Sequence, residues 1–138
     1  MPTVYAVLDT NVFVSALLNP KGTPGKICRA IQSGACTVVL SPALRRELRE
    51  ILESAELRLP KDAVEECLLL LELGAKRVEP AVHVHICRDP EDDMLLEAAI
   101  AAFPEVVVVS GDKDLLVLRS FRDIPILTPR EFIEVLGI

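Results

Sequence analysis

Apolar residues in this chain gather in two ways, as short unbroken blocks and as stripes at helical spacing. The blocks Val4–Leu8, 37–40, Val106–Val109 and Ile124–Leu127 are largely β-branched and too short for helices, so each predicts a strand. The unbroken run Val106–Val109, with no polar alternation, predicts a strand buried on both faces, as in a parallel sheet. Residues 77–79 are a weaker strand candidate, and 82–87 fit either a strand or an extended loop. Residues 12–18 predict a helix that stops at Asn19-Pro20-Lys21-Gly22, a cluster of turn formers. Thr23-Pro24, Ser41-Pro42 and Asp89-Pro90 repeat one signal, a capping side chain followed by proline at the first helical position. They predict helices over 23–32, with Gly34 as the stop, over 42–54 and over 90–103. Pro60 opens a further helix to Gly74, and a short one is expected near Leu115. Thr128-Pro129-Arg130-Glu131 reads as a capping box for the last helix.

Strands that alternate with helices predict an α/β fold, with a mainly parallel central sheet of about four to five strands and helices on both faces. The 138 residues suit one domain spanning 1–138. The chain carries no internal repeat, low-complexity segment or internal linker.

Composition changes this picture in two places. Hydrophobic residues make up 51% of the chain, which supplies a real core and excludes intrinsic disorder. The net charge of -6 runs against the basic footprint usual for phosphate binding. Either the partner is not nucleic acid or the acids serve a local purpose, such as holding cations. The four cysteines, Cys28, Cys36, Cys67 and Cys87, form no C-x-x-C pair and are expected to be free thiols in a reducing cytoplasm. No basic stretch precedes an apolar run at Met1-Pro2-Thr3, so no signal peptide is expected. The apolar runs are far too short to span a membrane. His83, His85 and Cys87 alternate but lack a fourth ligand at a supporting spacing. The loop Lys21-Gly22-Thr23-Pro24-Gly25-Lys26 departs from the phosphate-loop pattern, and Pro24 lacks an N–H that such a cradle needs. No G-x-S-x-G is present.

The acids carry the candidate chemistry. In open α/β sheets, ligands bind outside the C-terminal ends of the strands. Asp9 and Asp112 both stand at such ends, and they share one crevice if their strands are neighbours. On the 42–54 helix, Leu44, Leu48, Ile51, Leu52 and Ala55 form an apolar stripe. Glu47 lies about 60° from Leu44, on the edge of that stripe, while Arg45, Arg46, Arg49, Glu50 and Glu53 lie further towards solvent. Asp89-Pro90-Glu91-Asp92-Asp93 holds four acids in five residues, partly for helix capping and the helix dipole. Asp93 shares a face with Leu96, Glu97 and Ile100, so it leans into an apolar stripe and needs a hydrogen-bond partner or a cation. Gathering four carboxylates is costly, because two unit charges 4 Å apart repel by about 4 kcal/mol at an effective dielectric of about 20. Such a cluster must bind divalent metal or hold protons. Oxygen ligands favour Mg²⁺ or Mn²⁺ over zinc. A divalent ion would turn an acidic pocket into a phosphate-attracting one, activate water and stabilise a leaving oxygen.

The chain resembles the PIN-domain family over essentially its full length. The resemblance is carried by Leu8-Asp9-Thr10-Asn11-Val12, by Glu47 in the Ser41-Pro42 helix, by Asp89-Pro90-Glu91-Asp92-Asp93-Met94-Leu95-Leu96 and by Ser110-Gly111-Asp112-Lys113-Asp114-Leu115. Each piece is short, and their order and spacing give the specificity. The chain looks most like bacterial and archaeal PIN proteins that act as toxins of toxin–antitoxin pairs. The resemblance implies a three-layer α/β domain and a Mg²⁺- or Mn²⁺-dependent endoribonuclease. It implies catalytic and metal-binding roles for Asp9, Glu47, Asp93 and Asp112, with Asp114 as an additional ligand. Asn11 and Ser110 match positions that support the site by hydrogen bonding. The acids crowd around Asp93, so Asp92 or Asp89 stands as an alternative ligand. An antitoxin partner and a homodimer are implied by the resemblance alone.

Arg45, Arg46 and Arg49 form a local basic patch, and Lys113 sits between two site acids. These are the candidate contacts to an RNA backbone. With aromatics at 4%, base stacking is not expected to be the main grip. Two alternatives are a PIN-like module that binds RNA or a partner without cutting, and a response-regulator-like signalling domain. The second needs a lysine at the end of the last strand, where this chain has Leu127-Thr128-Pro129.

Overall fold

The computed structural model describes residues 3–138. Met1 and Pro2, part of the start read above as lacking a signal peptide, lie outside them. Its elements run β1 (Val4–Leu8), α1 (Thr10–Leu18), α2 (Thr23–Ser33), β2 (Cys36–Leu40), α3 (Pro42–Leu52), α4 (Lys61–Gly74), β3 (Lys76–Arg77), α5 (Pro90–Ala102), β4 (Val106–Val109), α6 (Lys113–Leu116), β5 (Ser120–Phe121), β6 (Ile124–Leu127) and α7 (Pro129–Leu136). The four apolar blocks are the four longer strands. Strand order is β3-β2-β1-β4-β6-β5, all neighbours parallel except β5 against β6.

The sheet has six strands, where about four to five are expected from the pattern. The difference lies at its edges. Strands β3, which overlaps the weak 77–79 candidate at Arg77, and β5 have two residues each, too few to leave a periodic signature. Edges this short also offer little template for pairing with another chain. Residues 82–87 form a loop rather than a strand.

Proline-marked starts set three helices as the pattern predicts. Ser41 Oγ accepts from Leu44 N–H at 3.2 Å, Asp89 Oδ1 from Glu91 N–H at 3.0 Å, and Thr128 with Glu131 closes a capping box at 3.1 and 2.9 Å. Two starts differ. Helix α2 is capped by Gly22, with Thr23 already helical. Helix α1 begins at Thr10 rather than at Val12, because Asp9 is its N-cap.

Consecutive residues Ala6, Val7 and Leu8, and Val38 with Val39, are buried, which requires cover on both faces of the sheet. Helix α5 lies against β1, β2 and β4, and its Leu96, Ala98 and Ala99 are wholly buried. Helix α2 packs on α1 and α7. Strand order reverses direction at β1, with β2 on one side and β4 on the other. Ligand crevices open at the C-terminal ends of strands at such a point.

The link from α1 to α2 is tight. Arg29 Nη1 donates to the Pro20 carbonyl at 2.8 Å, and a Cβ on Gly25 would stand 1.9 Å from that oxygen. Gly25→Ala is therefore expected to lower stability by about 1–3 kcal/mol, the usual range for overpacking, as read by urea denaturation. A variant as stable as the parent would mean that the loop gives way freely.

Candidate functional site

Strands β1 and β4 pair with Leu8 opposite Val109, so the next residues, Asp9 and Ser110, emerge side by side. The Asp9 N–H donates to Val109 O at 2.9 Å, and the Ser110 N–H to Leu127 O at 3.0 Å. These bonds carry the sheet one residue past the strands. Ser110 is wholly buried. Its hydroxyl donates to Asp9 Oδ2 at 2.7 Å and accepts from the Asp112 N–H at 2.9 Å. Asp9 Oδ1 accepts from the Asn11 N–H at 3.2 Å. One serine thus orients the first carboxylate and shapes the turn that presents Asp112. Asp112 in turn caps α6, with Oδ1 accepting from the Asp114 N–H at 2.9 Å.

The crevice above these ends has a volume of about 100 Å³. Its charged lining consists of six carboxylates, Asp9, Glu47, Asp89, Glu91, Asp92 and Asp112, with Thr10 and Asn11 beside them. Glu47 enters from the edge of the α3 stripe, one turn before Ile51, which lines the same crevice. Among the described residues, no three His, Cys, Asp or Glu side chains are already drawn together as a closed metal-ligand set. The acids share the crevice without forming such a set, although Glu47 and Glu91 lie within hydrogen-bond reach of each other.

Electrostatics mark two of them. Burial pushes the Asp92 carboxyl from its ordinary 3.8 up to about 7, and the charges of Asp112, Asp9 and Asp89 and a hydrogen bond with Asp112 add to the effect. Burial pushes Glu47 from 4.5 up to about 8, followed by its hydrogen bond with Glu91, the charges of Glu91 and Asp9, and an opposing contribution from the Thr10 hydroxyl. Asp92 is 6% exposed, and its Oδ2 is buried with no hydrogen-bond partner. Leaving a buried polar group unpaired costs about 1–3 kcal/mol, and more when it is charged. A hard divalent cation fits this all-oxygen donor set and would satisfy the orphaned atom.

The expected residues divide. Asp9, Glu47 and Asp112 share the crevice, together with Asn11, and Ser110 holds Asp9 from below. Asp93 does lean inwards, but the partner it finds is backbone. Its Oδ1 accepts from the Ile86 and Cys87 N–H groups at 3.3 and 2.9 Å, and Asp92 takes the place in the crevice. Asp114 pairs with Arg88 at 3.0 Å instead of facing the cluster. Arg45 is engaged by Glu72 at 2.6 Å and Arg49 by Glu53 at 3.2 Å. Arg49 lines a separate cavity of about 370 Å³ between the end of α3 and the start of α4. Arg46 and Lys113 are exposed. Glu91 and Thr10 escaped sequence reasoning. Glu91 passes for ordinary first-turn helix chemistry, and Thr10 has no charge to flag it.

Residues 5–114 match the model of the PIN domain. An uncharacterised protein, MJ1680, of Methanocaldococcus jannaschii is 30% identical over 95% of this chain and 90% of its own length. Two solved structures share the fold. One is VapBC2 of Rickettsia felis bound to a promoter DNA fragment, with a TM-score of 0.59 at 13% identity over 91% of this chain and 98% of that one. The other is the PIN-domain endonuclease Utp24, with a TM-score of 0.54 at 18% identity over 90% of this chain and 84% of that one. The chain belongs to the PIN-domain family.

The raised carboxyls have a consequence for stability. In the folded, metal-free protein, Asp92 and Glu47 keep protons that the unfolded chain releases near its ordinary values of 3.8 and 4.5. Stability rises with pH only where the unfolded state binds more protons, and here the folded state does. These two groups therefore lower stability as pH climbs from about 4 through about 8. Urea denaturation in EDTA at several pH values is expected to show that decline, flattened in Asp92→Asn. A parent protein that gains stability steadily over the same range would contradict the burial of these acids.

Proposed function

We propose that this protein is a Mg²⁺- or Mn²⁺-dependent endoribonuclease that hydrolyses RNA phosphodiesters. The observation that carries the reading is the buried, unpartnered Asp92 Oδ2 in a crevice whose charged lining is entirely carboxylate. Asp9, Asp92 and Asp112 would hold the ion, with Glu47, Glu91 and Asp89 lining the same crevice. When bound, the cation supplies neutralisation of the cluster, attraction for phosphate, and activation of water with stabilisation of the leaving oxygen. The chain supplies the rest. Ser110 fixes the rotamer of Asp9, the Asp112 turn is pinned to the same hydroxyl, and α5 carries Asp92 on a helix packed against three strands. Asp93 is a positioning residue that ties the 82–88 loop to α5 and leaves Asp92 to face the ion.

The reading extends to partners. A likeness to VapBC2 and the family resemblance support a toxin role, with an antitoxin protein as partner and a homodimer as the working form. Among the described residues, no helix is long and apolar enough to cross a membrane. Four free thiols accord with a cytoplasmic setting.

Millimolar Mn²⁺ or Mg²⁺ is expected to raise the melting temperature by several degrees, the shift that about 1–2 kcal/mol of ligand binding gives a domain of this size. Asp9→Asn and Asp92→Asn should each remove most of that rise. Single-stranded RNA should be cleaved in Mn²⁺ and spared in EDTA, and cleavage that survives Asp9→Asn combined with Asp92→Asn would place the activity elsewhere. A second comparison separates neighbours on one helix. Asp93→Asn should cost about 1–3 kcal/mol of stability, because two backbone N–H groups lose their charged acceptor, yet keep its response to Mn²⁺. Asp92→Asn should do the reverse. If Asp93→Asn is the variant that loses the metal response, the ligand assignment is overturned.

A further inference from the structure

We infer that Arg88 is the residue through which the crevice grips the phosphate backbone of its nucleic-acid substrate, exchanging Asp114 for a phosphate as the strand binds. The inference rests on the nuclease reading above and adds a substrate contact to it.

Every charged side chain that lines the crevice is acidic, so a polyanion must find its positive contacts at the rim. Arg88 stands there. It directly precedes Asp89, the crevice acid that caps α5. Its guanidinium reaches Asp114 Oδ1 at 3.0 Å, and the Asp114 N–H is held by the crevice acid Asp112 at 2.9 Å. One side chain therefore joins the start of α5 to the start of α6, whose capping acids Asp89 and Asp112 both line the crevice.

Its base is fixed while its head is exposed. Just before it, the Ile86 and Cys87 N–H groups donate to Asp93, and the Val84 N–H donates to Glu97 Oε2 at 2.8 Å. Two carboxylates one turn apart on α5 thus moor the loop. The Arg88 side chain itself is 87% exposed and its partner Asp114 42%. An ion pair this open is weak. A phosphate that accepts two parallel N–H bonds from a guanidinium competes with it well. Arg45 and Arg49 also sit in exposed pairs, with Glu72 and Glu53, but they line other cavities.

The test is steady-state cleavage of fluorescein-labelled single-stranded RNA in Mn²⁺ by the parent, Arg88→Ala, Arg88→Lys and Asp114→Asn. Arg88→Ala should raise KM roughly tenfold, the size of one lost charge-assisted contact, with kcat within about twofold. Arg88→Lys should recover much of the loss, and Asp114→Asn should lower KM by freeing the arginine. The slope of log affinity against log salt should fall by about one in Arg88→Ala. Its melting-temperature rise with Mn²⁺ should match the parent's. An active parent with an Arg88→Ala variant of unchanged KM and salt slope overturns the role of Arg88 and leaves the nuclease reading standing. A loss confined to kcat, unrescued by lysine, would make Arg88 a structural brace and overturn it as well. A parent that takes up Mn²⁺ but neither binds nor cleaves RNA overturns both.

Discussion

Six carboxylates around about 100 Å³ repel one another, and much of the molecule is arranged to hold them there. The repulsion is not relieved by basic side chains within the crevice, which has none among the described residues. It is met by raised proton affinity at Asp92 and Glu47 and by local donors, the Ser110 hydroxyl and the Asn11 N–H, on Asp9. Crowding and burial together leave two carboxyls that hold their protons into the neutral range.

Rigid apolar structure makes that crowding sustainable. Residues of β1, β2 and β4 are buried on both faces, and α5 packs across all three strands. The acids project from strand ends and helix starts, where backbone position is set by the sheet ladder and by caps. Asp9, Asp89 and Asp112 each cap a helix with the same carboxylate that lines the crevice. Capping fixes their direction; it engages one oxygen of Asp89 and of Asp112, while Asp9 has both oxygens engaged, by the Asn11 N–H and the Ser110 hydroxyl. The loop from Val84 to Arg88 is tied to α5 by Asp93 and Glu97. Two adjacent aspartates on one helix therefore divide the labour, one securing the scaffold and the other facing the crevice.

Several features were legible along the chain. Unbroken apolar blocks give the four longer strands, because parallel strands buried on both faces tolerate no polar alternation. Proline after a capping residue gives the starts of α3, α5 and α7. Asp9 and Asp112 follow from strand-end logic, and Glu47 from its place at the edge of a stripe. Strand β3 left only the weak candidate at 77–79, which it overlaps at Arg77, and β5 was not legible, since two residues carry no period and are selected by their neighbours.

The choice between Asp92 and Asp93 lay beyond periodicity for a specific reason. Helix α5 is buried on nearly every side, including both aspartates, so no apolar stripe separates an inner from an outer face. What surrounds the helix decides, with the 82–88 loop on one side of it and the crevice on the other. The net charge of -6 is likewise ambiguous in sequence, where acids count alike wherever they stand. Sequence by itself determined the longer strands and the helices, the parallel α/β class and a surplus of acids at strand ends, because these depend on local pattern. Tertiary structure alone decided which acids converge, that Asp114 is paired with Arg88, and that Asp93 is a brace, because these depend on contacts between segments far apart in the chain.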